Sequence, residues 1–311
     1  MKIIRPITIT DAMLTASNVT EDDYEVWAVG TAFHTGDRSI VTTAGVHSIY
    51  EALVDVTGGS SPEVDVLATV PKWLFISATN RWKVFDARVG TQTINATSIT
   101  YTITPGVIVD AVAFLNLDAA TVRVVSTDPI EGVVYDNLVD LVSSVITGTD
   151  PIYDWYSYFF SSQFRLPDVC LLDLPPYLST VLTITISYPS STAKIGGIVM
   201  GVKSNLGTTQ YSPTIGIHDY SIKEADQFGV YSVTERAFSK RMSCDVLIEK
   251  GAIADVQNIL ASYRASLLVW VGGDEDSALS SLILYGFYKD FSIVIGYPTF
   301  AICNIEVEGL T

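Results

Sequence analysis

Charge is scarce in this sequence, and positive charge scarcest. Of 311 residues, 17% are charged, against roughly a quarter in an ordinary soluble domain. Eighteen basic residues face 34 acidic ones, a net charge of −16. Nucleic-acid affinity comes mostly from Lys and Arg displacing counterions from phosphates, so neither DNA nor RNA is expected as a partner. Long apolar runs are missing too: no stretch reaches the roughly 18 residues of a membrane span, and none is expected to cross a bilayer. Met1-Lys2-Ile3-Ile4-Arg5-Pro6 lacks the apolar run and small-residue cleavage site of a secretory signal, so synthesis without export by that route, in the cytoplasm, is expected.

Reactive side chains are equally sparse. Cys170, Cys244 and Cys303 are three, far apart and without C-x-x-C spacing, which gives neither a disulfide framework nor a zinc site. Their apolar surroundings read as small buried hydrophobes. His34, His47 and His218 form no H-E-x-x-H, and neither a G-x-S-x-G elbow nor a glycine-rich phosphate loop occurs. His218-Asp219 reads as an oriented imidazole or equally as a polar turn. A glycosidase needs only two carboxylates, but Asp65, Asp86, Asp110 and Asp118 read as turn or strand-end residues. Without a D-x-D-x-D-G loop, calcium has little support. No catalytic residue, cofactor or metal is assigned, and an enzyme is not expected.

What is abundant is apolar and alternating. Hydrophobic residues make up 48% of the chain, with a mean hydropathy of +0.35. Much of the surface must then be Ser, Thr and apolar, which suits a subunit covered by neighbours. Period-2 alternation predicts strands at 99–103, 182–186, 238–248 and 302–307, separated by turns such as Thr57-Gly58-Gly59-Ser60. One segment breaks the pattern. Ile253, Val256, Ile259, Leu260 and Tyr263 form the apolar stripe of a helix over 252–265, after Gly251. Laid on strands at 267–271, 282–287, 291–295 and 301–307, it makes the last hundred residues α+β. The expected fold is mainly β and multi-domain: an N-terminal arm and small module over 1–76, a β-sandwich over 77–205, and an α+β assembly domain over 206–311.

Within the first unit, Tyr24-Glu25-Val26-Trp27, Phe33, Gly36-Asp37, Tyr50 and Lys72-Trp73 follow one another in a pattern that resembles the small carbohydrate-binding module of bacterial chitinases. That resemblance implies sugar stacking on Trp27, Tyr50 or Trp73. Each ring has a second reading as core filler, since so small a module has little aliphatic material. Asn80-Arg81-Trp82-Lys83-Val84-Phe85-Asp86, the strand patterns after it, and Lys194 to Met200 are similar to the galactose-binding-like β-sandwich. There ligands sit on end loops, which adds Trp82, Asp86 and the run Trp155-Tyr156-Ser157-Tyr158-Phe159-Phe160 to the places to look.

Thr209-Gln210-Tyr211, Asp219-Tyr220-Ser221, Glu235 to Arg241, Tyr285 to Ser292 and Glu306 to Leu310 resemble a family of tailed-bacteriophage and prophage virion proteins. The resemblance implies a structural component of the tail, its distal tip or baseplate, located in the virion. Such a subunit is homo-oligomeric as a ring or trimer and contacts other tail proteins. The alternative it leaves open is an adhesin-like tail protein that holds bacterial surface glycans through exposed aromatics. Arg236, Lys240 and Arg241 form a basic cluster that could meet a neighbour's Asp274-Glu275-Asp276, or simply face solvent.

Overall fold

The alternating segments are strands, and several are longer than the pattern suggested. The computed structural model describes residues 1–42, 45–141, 165–225, 227–273 and 281–310. In chain order, β1 (Lys2–Pro6) and β2 (Leu14–Ser17) lead into a small module. There β4 (Arg38–Val41), β5 (Ser48–Ala52) and β7 (Trp73–Ala78) form a three-stranded antiparallel sheet. Beside it, β3 (Ala32–Phe33) pairs with β6 (Val56–Thr57), and a one-turn helix, α1 (Pro62–Asp65), opens on a proline whose missing N–H costs nothing there.

The middle of the chain is organised by one strand. β13 (Val181–Asn205) unites the two segments read separately at 182–186 and 194–200. Its first half buries the even-numbered Leu182, Ile184 and Ile186, whereas Ala193 and Ile195 are the buried residues after an irregularity between Ser187 and Thr192. Pro189 falls in that gap, where no ladder donor is required. One side of β13 is lined by β8 (Thr93–Ile103). Its other side is shared by β10 (Thr121–Asp128) along the first half and β9 (Ala111–Asp118) along the second. β11 (Gly132–Asp140) extends the sheet beyond β10, and β12 (Val169–Leu171) pairs with β9. The strands close around a core that includes Trp82, Tyr101, Phe114, Val122 and Ile184.

Beyond Gly201, β1 takes the place of β8 beside β13, and β1 pairs on its far edge with β19 (Leu268–Val271). From there the ladder runs through β20 (Ile283–Val294) and β21 (Phe300–Gly309) to β18 (Phe238–Glu249). One antiparallel sheet therefore crosses from the middle of the chain into its last third. The segments expected as two strands at 282–287 and 291–295 are the single β20. An irregularity between Tyr288 and Asp290 interrupts their alternation. The predicted helix is α2 (Ile253–Ser262), preceded by a 3₁₀ turn over Lys250–Ala252. It buries Val256 and Leu260 against Trp270, Cys303 and Ile305. The opposite face of the sheet, with Ile4, Val269, Ile283 and Tyr285, packs on Ala111, Ala113, Leu115 and Val199. Among the described residues no helix is long and apolar enough to cross a membrane.

Ile4 is fully buried in the layer shared by the two regions. Ile4→Ala should cost about 2–5 kcal/mol of unfolding free energy in urea titrations, the range for a buried aliphatic truncation. A loss below about 1 kcal/mol would contradict the double-sided role of β1.

Candidate functional site

Rings proposed to hold sugar must expose a face, and three of the four do not. Trp73 is 1% exposed, Tyr50 8% and Trp82 0%. Trp73 meets Phe33 edge-on at 5.1 Å, and Tyr50 meets Phe75 at 5.7 Å. Trp27 is half-buried against the same cluster, with Val41, Ala52 and Val56. Trp82 lies in the sandwich core against Phe85, at 5.8 Å. Thus Tyr50, Trp73 and Trp82 are core: a module with few aliphatic residues spends its aromatics on its own interior. The run Trp155 to Phe160 lies outside the described residues.

The carboxylates singled out in the sequence hold backbone. Asp65 accepts the N–H groups of Lys72 (2.6 Å) and Trp73 (3.1 Å). Asp110 accepts that of Lys203 at 2.7 Å, and Asp118 pairs with Lys194 at 3.1 Å. Asp86 accepts the Thr91 hydroxyl and the Arg88 N–H, both at 2.8 Å, while burial raises its pKa. His218-Asp219 is a strand end and not a turn or an oriented imidazole: His218 lies over Tyr220 at 4.6 Å, and Asp219 accepts Lys223 at 2.7 Å. Among the described residues no three His, Cys, Asp or Glu gather as a metal would need.

The densest polar cluster surrounds His47. Its Nδ1 lies 2.8 Å from Glu21, which also accepts the Thr79 hydroxyl at 2.8 Å and lies 3.5 Å from Arg81. Nε2 is 3.6 Å from Asp11, and the imidazole packs on Trp82 at 4.7 Å. A carboxylate orienting an imidazole is half of a general-base arrangement, yet His47 is buried and Nε2 has no hydrogen-bond partner among the described residues. No nucleophile is presented to it. The cluster ties the small module to the sandwich.

The cysteines are free thiols, Cys244 and Cys303 buried and Cys170 half-buried. Burial pushes Cys170 up to about 12, and Cys244 and Cys303 to about 11, so at neutral pH almost none is thiolate.

The largest exposed apolar feature among the described residues is in the last third. β15 (Thr214–Asp219) pairs with the first half of β18, and β16 (Ile222–Ala225) pairs with β17 (Tyr231–Thr234). The two ladders are joined across a bend, where Tyr220 N–H reaches Ala237 and Arg236 N–H reaches the Ser221 hydroxyl. They make one long hairpin, and its outer half is a separate two-stranded sheet. From Phe238 to the turn it runs about ten residues, or about 30 Å at strand rise. β18 explains its character. Met242, Cys244, Val246 and Ile248 point into the core, and Phe238 and Lys240 continue the same stripe by alternation. Ile215 and Ile217, the cross-strand partners of Met242 and Lys240, share it. Past Met242, Lys240 reaches Asp168, while the apolar members of the stripe are exposed among the described residues: Ile217 is 58% exposed and Phe238 50%. Tyr231 and Val233, farther out, are exposed as well.

The sequence reading did not single out this arm. Apolar alternation in Thr214–His218 and Tyr231–Val233 was its signal, but alternation does not tell a stripe facing the chain's own core from one facing outward. Of the basic cluster, Lys240 pairs with the buried Asp168 of this same chain. Asp274-Glu275-Asp276 lies outside the described residues. No protein-family model matches the chain, and no curated protein or solved structure does so either.

Two results are expected. Trp73→Ala should lower stability by about 3–5 kcal/mol, as a buried aromatic truncation, seen as an earlier urea midpoint; an unchanged midpoint would return Trp73 to the surface. At pH 8 a thiol-reactive dye should label neither Cys244 nor Cys303 in the native protein within the time that labels both in urea. Rapid native labelling would contradict their burial.

Proposed function

We propose that this chain is a structural assembly subunit that associates with further copies of itself through the long hairpin of β15 to β18. The observation that carries the reading is the core-type stripe of β18 continuing through Phe238, Ile215 and Ile217, which are exposed among the described residues. A two-stranded hairpin is marginal in water by itself, and its apolar face gains stability only when another surface excludes water.

Charge favours a second copy as that surface. Residues 211–243 hold four acidic and four basic side chains, so the net charge of −16 lies outside the arm. Lys223 and Asp219 neutralise each other within it, and the ammonium holds the Asp219 carboxyl well below the usual carboxylate range. Two acidic bodies repel, whereas two neutral apolar arms do not. The resemblance of the C-terminal sequence to tailed-phage virion proteins supplies a setting: a subunit of the tail or its distal tip, arranged as a ring or trimer. With Tyr50, Trp73 and Trp82 interior, Trp27 is the one candidate ring among the described residues that is not buried, and the assembly reading does not draw on glycan binding.

The native protein should run as an oligomer in size-exclusion chromatography with light scattering. Phe238→Asp with Ile217→Asp should shift it to monomer with an unchanged circular-dichroism spectrum, both positions being exposed. A native protein that stays monomeric at millimolar concentration would overturn the assembly reading. Absence of the chain from purified virions would overturn its placement in a tail.

A further inference from the structure

The basic side chains of this acidic protein are not all matched. Arg38 bonds Glu51, Arg123 bonds Asp136, and Lys194, Lys223 and Lys289 each face a carboxylate. Arg5 and Arg88 are among several basic residues with no ion pair among the described residues, although acidic side chains outnumber basic ones almost two to one. Both line the same cleft, of about 510 Å³.

The cleft lies where three parts of the chain converge: the segment leaving β1, the loop after Val84, and the turn between α2 and β19. Among the described residues no carboxylate and no lysine line it. Its walls are apolar, with Ile7, Phe85, Val89, Leu115, Ile198 and Leu267. Its polar groups, besides the two guanidinium groups, are hydroxyls. Tyr285 is almost fully buried, yet its hydroxyl makes no hydrogen bond among the described residues. Tyr263, Ser266 and Thr8 add three more hydroxyls. Asp86 is the nearest acid, close enough to act on Tyr285, but its oxygens are engaged by Thr91 and the Arg88 backbone. Arg88 lies over the Phe75 ring at 5.4 Å and near enough to Asp86 to favour that carboxylate's charged form, without an ion pair between them among the described residues. Gly197 leaves one wall bare of side chain.

The backbone supplies an independent observation. Ala87, in the lining, has φ +59°, and Ala265, next to Ser266, has φ +58°. Alanine in the left-handed region costs roughly 1–2 kcal/mol. Two such residues, both exposed, therefore lie at the rim of one cleft.

From these features we infer that the cleft binds a small organic acid, a carboxylate on an apolar or aromatic body. Its oxygens meet the forked donors of Arg5 and Arg88 and the phenol of Tyr285, and its body lies on the aliphatic wall. A planar guanidinium suits a carboxylate by paired hydrogen bonds, and a largely apolar pocket with few polar groups is the usual form of a small-molecule site. The inference is independent of the assembly arm.

The test uses 2-naphthoate and its neutral counterpart 2-naphthamide, titrated by calorimetry into the full chain. Naphthoate should bind at least about tenfold more tightly than the amide, and more weakly as salt rises. Arg5→Gln and Arg88→Gln should each weaken naphthoate at least about tenfold and leave the amide little changed. Phe238→Asp, on the arm, should leave naphthoate binding intact. Equal affinity for acid and amide in the native protein would overturn the proposal without any variant. So would naphthoate failing to bind at millimolar concentration, loss of binding in Phe238→Asp, or full binding in either arginine variant.

Discussion

The structure depends on a five-residue strand being hydrogen-bonded on both edges. β1 pairs with β13 from Lys2↔Asn205 to Pro6↔Gly201, and with β19 from Lys2↔Val271 to Ile4↔Val269. Because side chains alternate, adjacent residues serve different interiors: Ile3 belongs to the core under α2, and Ile4 to the layer shared with the sandwich. The approach at its end is close enough to require glycine. A Cβ on Gly201 would lie 1.8 Å from the Arg5 carbonyl oxygen, so any larger residue must part the strands. The terminal ammonium donates to the Gly207 carbonyl, which anchors the first residue beside the end of β13.

Sheet continuity through β1 fixes where everything beyond it stands. β19, β20, β21 and β18 are added in turn, and α2 covers only part of the face they create. β18 is longer than that cover, so its inward stripe outruns the core and becomes the stripe of the arm. The apolar arm is thus the extension of an ordinary core strand, using the same alternation that packs Met242 and Cys244. The cleft with Arg5 and Arg88 arises at the same joint, where the chain leaves β1 and the helix turns back into β19.

How much of this could be read from residues alone follows from what alternation encodes. Period and length marked the strands at 99–103, 238–248 and 302–307 and the helix after Gly251, because each buries one face against the chain's own core. Boundaries failed where the ladder bends without breaking: the irregularity after Ser187 hid the unity of β13, and that at Tyr288 hid the unity of β20. Pairing of β1 with both β13 and β19 was not legible, since a short apolar start such as Lys2-Ile3-Ile4 does not state its partners. Nor could residue type separate a stacking tryptophan from a core one. Trp73 and Trp82 differ from a sugar platform only in burial, which spacing does not report.

An exposed apolar hairpin is also an aggregation hazard, and the chain treats the edge accordingly. Lys223, Glu224, Glu235 and Arg236 sit on or next to the outer strands, a mixed-charge pattern that discourages indiscriminate strand addition. At the root, Asp168 is buried, accepts the Asn116 N–H at 3.0 Å with one oxygen, and takes Lys240 with the other. A buried carboxylate left unpaired is costly, so Lys240 is bound to that position and the base of the arm is pinned to the sandwich. Under the proposed self-association, an arm held in one direction would lose less freedom on meeting a second copy than a loose one would. It would also offer the same angle in every copy, and a closed ring requires a constant angle between neighbours.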